Sequence, residues 1–320
     1  METRHGTQAW NTGTEPIASL REDCVTTGKT GWLIYRQADL TVNRVFANRL
    51  IAAAAAHGLQ LRLVVHETLQ FGVAPDGLYA RVPGFPETPD FAIQRAVDPF
   101  LAMHLEAMGI RVFNRAAISA MCNDKAWTHQ AVSRLAVPML PTAFTDTPGM
   151  PALAPSLTWP AVIKAVGGRS GKQVHLAADR EAYERLCGEL PAGRYIVQPL
   201  GGVPGVDVRV FVIGGRIVAA IRREAAATGQ GGFRANFSMG GQASVHLLTE
   251  MQRALVTRIA EAFPFDYVGI DFLLDEQQAF LFNEIEDAVG SRTLSICTDI
   301  DIADLFLAHV RACLEARPGA

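Results

Sequence analysis

The 320-residue sequence predicts a mixed α/β and α+β fold in three parts, and three observations carry that reading. Residues 31–35, 42–57 and 61–65 read as strand, helix and strand, the spacing of a βαβ unit and hence of a small parallel sheet. Residues 159–165, 174–176, 179–189 and 195–198 read as a ββαβ unit with a glycine loop between its antiparallel strands. Residues 268–274 and 279–285 alternate about the polar turn 275–278, as the strands of a hairpin do.

In order, residues 1–29 are rich in Thr, Gly and charge and read as a flexible extension. Thr27-Gly28-Lys29-Thr30 resembles the tail of a P-loop, but Asp23 stands where its first glycine belongs, so that reading fails. Beyond the βαβ unit, residues 76–89 are turn-rich, 91–93 form a short strand, and 98–108 a helix closed by Gly109. Arg95 then falls at the carboxyl end of a strand, where open α/β sheets bind ligands. Asn123 is a candidate cap for a helix reaching Leu135, with Trp127, Ala131 and Leu135 on one face. Six prolines between 138 and 160 suggest a linker or an exposed traverse. Strands at 207–213 and 216–222, a glycine-rich stretch at 229–241, a helix at 249–263 and a closing helix at 301–315 complete the chain. The parts divide as 30–118, 119–197 and 198–320.

Composition narrows the function. A net charge of −3 gives no ground for a nucleic-acid or membrane partner. Five scattered cysteines without a CxxC read as reduced thiols in a cytoplasmic protein. The opening residues lack a secretory apolar stretch, and the longest apolar run, 50–56, is too short to span a bilayer.

The chemistry gathers in the second half. Residues two apart in a strand share a face, so Glu284 and Glu286 project together, and Asp271 faces them from the adjoining strand. Grouped carboxylates repel unless a cation lies between them, which makes a Mg²⁺-nucleotide site one reading and a solvated acidic edge the other. The loop Gly167-Gly168-Arg169-Ser170-Gly171-Lys172 brings backbone N–H groups close to phosphate oxygens, with Lys164 and Lys172 as counter-charges; a structural hairpin turn is the plainer alternative. Asp207 and Arg209 share a strand face, and Arg222, Arg223 and Arg234 add positive charge, suited to triphosphate and metal or to surface ion pairs.

The ordered set resembles the ATP-grasp superfamily, and within it the RimK-type carboxylate–amine ligases. The resemblance rests on Asn123-Asp124-Lys125, Val162-Ile163-Lys164 with the glycine loop, Asp207-Val208-Arg209, residues 219–223, Phe233-Arg234-Ala235-Asn236 with Gly240-Gly241, Gly269-Ile270-Asp271 and Asn283-Glu284-Ile285-Glu286. It implies an ATP-grasp fold: an N-terminal Rossmann-like pre-ATP-grasp domain, a small central lid domain and a C-terminal α+β domain. Lys125, Lys164, Gly167, Gly168, Ser170, Gly171, Gln198, Asp207, Arg234 and Asn236 would hold ATP. Asp271, Glu284 and Glu286 would hold Mg²⁺. Arg209, Arg222 and Arg234 would steady an acyl phosphate, which an amine then attacks. Arg95 would grip a substrate carboxylate, with Ser291 and Arg292 in the specificity turn 287–295.

Three departures stand out from the family pattern. Glu286 replaces the usual Asn, which favours two Mg²⁺ ions, with Mn²⁺ as a substitute. Residues 288–292 replace a Ser-Pro-Gly turn, which leaves the incoming substrate open. Gln173 replaces the loop's last glycine, and Gln198 an acidic hinge residue. The implied partners are amino-acid or peptide-like small molecules, and the implied assembly is a homodimer or homotetramer. Rival readings are intramolecular cyclisation, addition of amino acids to a protein tail, a kinase-like phosphotransferase and a non-catalytic nucleotide sensor.

Overall fold

The structure, a computed structural model, describes residues 28–85, 87–169, 173–225 and 241–316. Most of the 1–29 extension, and with it Ser170, Gly171, Lys172, Arg234 and Asn236, lies outside the described residues.

β1 (Thr30–Tyr35), α1 (Gln37–Ala56) and β2 (Gln60–Val65) form the expected βαβ unit. α1 starts at Gln37 rather than at 42, and its backbone breaks at Asn43 (φ −109°, ψ 15°), whose side chain donates to the Asp39 carbonyl. The turn-rich stretch contains a hairpin, β3 (Gln70–Ala74) with β4 (Gly77–Arg81). β5 (Phe91–Gln94), α2 (Pro99–Ala107), β6 (Arg111–Phe113) and α3 (Ala116–Cys122) follow. The parallel sheet runs β2-β1-β5-β6, so the chain reverses its direction of travel between β1 and β5.

α4 (Lys125–Ser133) is capped by Asp124, whose Oδ1 accepts from the Trp127 N–H at 2.8 Å, and not by Asn123. Its buried face is Thr128, His129 and Val132, while Trp127 is exposed, because the helix packs under the C-terminal sheet instead of closing a core of its own. The proline-rich stretch holds β7 (Ala143–Asp146) and α5 (Met150–Leu153). β7 lies at the edge of an antiparallel sheet, β7-β10-β8-β9, where prolines nearby interrupt no ladder. Its other elements are β8 (Ala161–Ala165), β9 (Val174–Ala177), α6 (Arg180–Glu189) and β10 (Arg194–Pro199).

β11 (Val206–Ile213), β12 (Arg216–Glu224), β13 (Gln242–Val245), α7 (Glu250–Ala262), β14 (Tyr267–Leu274) and β15 (Phe280–Glu286) build the third part, closed by α8 (Arg292–Cys297) and α9 (Ile302–Glu315). Its antiparallel sheet runs β13-β12-β11-β14-β15. One face buries Val208, Val210, Ile270, Phe272 and Phe282 against α4 and α7. The opposite face is divided. Phe211, Ile213 and Tyr267 join a core shared with Leu33, Tyr35, Phe91, Phe306 and Leu307, which fuses the N-terminal sheet to the C-terminal one. The rest of that face is polar. Among the described residues no helix is long and apolar enough to cross a membrane.

Candidate active site

The polar half-face is built by register. β11 places Arg209 opposite Asp271 of β14, and β12 places Arg223 opposite Asp207. β14 places Asp271 opposite Glu284 and Gly269 opposite Glu286. Ligand oxygens of Asp271, Glu284 and Glu286 lie within 4.8 Å of one another. The hairpin is not regular. The register slips between Asp271 and Phe272, leaving Asn283 as an extra residue in β15. That bulge lets Phe282 stay in the core while Glu284 and Glu286 face the site.

Arginines lie among the carboxylates. Arg209 donates through Nε and Nη2 to both Asp271 oxygens at 2.8 and 2.7 Å, and its Nη1 lies 2.9 Å from Glu286. Arg223 bridges Asp207 and Asp271, the latter at 2.8 Å. Burial alone would raise the Asp271 pKa, but Arg209 and Arg223 outweigh it and bring the carboxyl down to about 2. Glu286 moves the other way: burial, with repulsion from Asp271 and Glu284, raises it against the pull of Arg209. Two carboxylates a strand pleat apart are thus held in opposite regimes.

Lysines come from the central side. Lys125 Nζ donates to the Gly168 carbonyl at 2.6 Å and lies 3.1 Å from Glu284, tying the start of α4 to both the glycine loop and the hairpin. Lys164 Nζ donates to Asn283 Oδ1 at 2.8 Å. Burial, aided by Lys125 and opposed by Glu284, lowers Lys164 to about 8.

Gln198, on β10, is buried and donates through Nε2 to Thr142 Oγ1 at 2.8 Å and to His129 Nε2 at 3.1 Å. His129 accepts there because its Nδ1–H donates to the Lys125 carbonyl at 2.9 Å. Burial drives the imidazole pKa from 6.5 down to about 4. The unfolded chain therefore takes a proton near pH 6.5 that the folded one refuses until about pH 4. Stability is expected to fall by about 3 kcal/mol as pH drops through that window and to level below it. Urea midpoints against pH should show this slope in the wild type and not in His129→Gln.

The site residues named from sequence divide as follows. Lys125, Lys164, Gly168, Arg209, Asp271, Glu284 and Glu286 converge. Gly167 is exposed beside Gly168. Asp207 is spent on Arg223, so it offers no free carboxylate. Arg222 belongs elsewhere: strand alternation turns it to the opposite face, where it pairs with Glu224 at 2.6 Å and Gln278 at 2.9 Å. Arg223 takes the position expected of Arg222, and its signal, shared parity with Ile221 opposite Arg209, was present in the sequence. Arg95 is buried at 6% exposure, not a surface arginine. Ser291 is buried and Arg292 exposed, at the start of α8. Asn123 is the C-cap of α3 and not the N-cap of α4, and its amide donates to the Ser119 carbonyl and to Asp287 Oδ1, each at 2.8 Å, just past the carboxylate pair.

A small antiparallel lid-like sheet facing a carboxylate–arginine sheet, with lysines between, defines an ATP-grasp enzyme. The family model described as a RimK-like ATP-grasp domain matches residues 123–310. N-acetylaspartylglutamate synthase A of Homo sapiens is 29% identical over 253 residues, 76% of this chain and 61% of that protein. A probable alpha-L-glutamate ligase of Xanthomonas oryzae pv. oryzae is 29% identical over 278 residues, 82% of this chain and 92% of its own. The RimK domain protein ATP-grasp from Sphaerobacter thermophilus superposes with a TM-score of 0.67 at 20% identity, over 88% of this chain and 99% of that one. D-cycloserine synthetase DcsG superposes with a TM-score of 0.66 at 15% identity, over 89% and 100%. The chain belongs to the RimK-like ATP-grasp family, ATP-dependent ligases that form carbon–nitrogen bonds.

Proposed function

We propose that this ligase joins the carboxylate of one amino-acid or peptide-like substrate to the amine of another, through an acyl phosphate. The observation that carries the proposal is the convergence of Lys125 of α4 and Lys164 of β8 with Arg209, Arg223, Asp271, Glu284 and Glu286 of the C-terminal sheet. The donor set fits a hard divalent cation: all oxygen, with Glu284 and Glu286 the more open ligands because arginines already occupy both Asp271 oxygens. Mg²⁺, as two ions with Mn²⁺ as a substitute, would be held there and would supply charge neutralisation at the transferring phosphoryl group.

In the first step a carboxylate oxygen bonds to the γ-phosphorus of ATP and ADP leaves. In the second the amine nitrogen bonds to the acyl carbon, phosphate leaves and the nitrogen's proton passes to water. Neither step needs a protein nucleophile. Arg209 and Arg223, held rigid by Asp271 and Asp207, present fixed cationic donors to the charge that spreads over the acyl phosphate. Lys125, at the start of α4, and Lys164, on β8, orient the nucleotide, with Gln198 on the neighbouring strand β10. The relatives' names concern glutamate and N-acetylaspartylglutamate, which makes acidic amino acids the first substrates to try. A homodimer or homotetramer is part of the proposal.

The test is Mg²⁺-dependent release of ADP and phosphate across amino acids, singly and in pairs, with Glu284→Ala as control. Release that requires an added carboxylate and disappears in the variant is the expected result. A stable phosphorylated acceptor would point to phosphotransfer instead.

Lys164 adds a pH signature. Its lowered pKa, about 8, leaves it partly neutral in alkaline solution, and polyphosphate beside it restores the proton. ATP affinity is expected to fall as pH rises through about 8, with net proton uptake on binding. Calorimetry at pH values about that midpoint, in buffers of different ionisation enthalpy, should register the uptake, and Lys164→Met should remove it.

A further inference from the structure

We infer that Asp266, His309 and Cys313 form a Zn²⁺ site that clasps the closing helix α9 to the start of β14. The site is separate from the ligase centre, and it stands or falls independently of the substrates proposed there.

The ligands come together from two elements. His309 and Cys313 stand four residues apart on α9, so they share one face of the helix. Asp266 directly precedes β14 and is pinned by its backbone. Its N–H donates to Asn114 Oδ1 at 2.7 Å, and its carbonyl accepts from the Gly214 N–H at 3.0 Å. His309 Nε2 lies 2.9 Å from Asp266 Oδ1, and Cys313 Sγ lies 3.5 Å from the same nitrogen. A carboxylate oxygen, a ring nitrogen and the sulfur all fall within 4.8 Å of one another. Zinc bond lengths in a tetrahedron put nitrogen and sulfur about 3.5 Å apart, and nitrogen and oxygen about 3.3 Å. The first pair already has that spacing, and the second has only to open slightly.

Two further observations point to a ligand. Asp266 is 2% exposed, and its Oδ2 is buried without a hydrogen-bond partner. A carboxylate oxygen in that state is costly unless a donor or a cation completes it. Oδ1, by contrast, accepts from Arg111 Nη2 at 3.0 Å, the outer contact by which a ligating carboxylate is held in orientation. Gly214 makes room for the imidazole. Its φ is +54°, and a Cβ there would lie 2.7 Å from His309 Nδ1.

The donor set selects the ion. Oxygen, nitrogen and sulfur together suit borderline-soft Zn²⁺ and disfavour Mg²⁺, which takes oxygen. The carboxylate and a thiolate balance its two charges. His309 and Cys313 are only half-buried, which leaves a fourth position to water. On binding, the Cys313 thiol loses its proton to solvent, and the imidazole proton moves from Nε2 to Nδ1. Asp271 lies five residues further on, about 17 Å along the strand, so the two sites share no ligand. α9 buries Phe306, Leu307 and Val310 in the core that joins the two sheets. The ion's work there is to hold the helix, not to take part in ligation.

The test titrates the full chain with Co²⁺, whose coordination by a thiolate gives a charge-transfer absorption. The protein is first stripped of metal, reduced and saturated with Mg²⁺. The expected result is that one equivalent of Co²⁺ produces the band, Zn²⁺ displaces it, and Zn²⁺ raises the melting temperature. Cys313→Ser keeps the side chain's size and should abolish the band. His309→Gln should weaken Co²⁺ binding by about 100-fold. Glu284→Ala, which disables the carboxylate cluster of the ligase centre, should leave the band intact. Circular dichroism checks each variant for folding, and Cys313→Ser alone decides if His309→Gln does not fold. No thiolate band, a band that persists in Cys313→Ser, or one undiminished in folded His309→Gln overturns the site.

Discussion

Asp271→Asn is expected to destabilise the protein by about 3 kcal/mol and to abolish turnover. Asp271 is buried at 1% exposure and accepts from Arg209 twice and from Arg223 once. The amide removes the charge but not the need for it. Arg209 keeps Glu286 and Arg223 keeps Asp207, so the loss falls short of two orphaned guanidiniums. Urea unfolding at neutral pH measures the difference. In the wild type the depressed carboxyl gives a matching acid signature. Its stabilisation is present above pH 3.8 and is lost as pH falls through about 2.

Arg223→Met is expected to lower kcat by about 10²–10³-fold, whereas Arg222→Met should change it only a few-fold. The two residues are neighbours in sequence and differ only in parity. Arg223 lies within the carboxylate network, and Arg222 pairs with half-exposed Glu224 on the opposite face. Steady-state kinetics of the two variants, each checked for folding by circular dichroism, therefore read the register of β12 directly. Equal losses would mean that the strand does not present Arg223 to the reaction.

The pair shows what the sequence could and could not disclose. Residue type and order were enough to single out the lysines, Arg209 and the three carboxylates, because each sits in a strand or at the start of a helix. Parity within β12 was readable too, from Ile221 and Arg223 alternating with Arg222. The bulge in β15 had only an indirect signature. Phe280, Phe282, Glu284 and Glu286 share one parity, and a regular strand would put two aromatic rings and two acids on the same face. That conflict demands an extra residue, but nothing local says that Asn283 is the one. Other features depended on partners far along the chain. Asn123 looked like a cap until Asp287, 164 residues away, claimed its amide. His129 gave no signal in the sequence, because its partner Gln198 reaches it from β10, 69 residues away. β7 was hidden because prolines near an edge strand look like those of a linker.

Asn114 follows β6, yet its side chain performs the work of a missing strand. Its Oδ1 accepts from the Asp266 and Tyr267 N–H groups at 2.7 and 3.0 Å, and its Nδ2 donates to the Tyr267 carbonyl at 2.7 Å. Together with the Arg95 tie to Val289, this makes the parallel sheet and the five-stranded sheet one mechanical body. A hinge cannot lie along that seam without breaking buried hydrogen bonds. Admission and trapping of nucleotide are therefore expected as a swing of the β7-β10-β8-β9 sheet alone. Its exit passes Gly201 and Gly202, the second at φ +75°, where backbone rotation meets least resistance. The enzyme would work as a jaw with one moving half, its substrate side staying fixed while the nucleotide side opens.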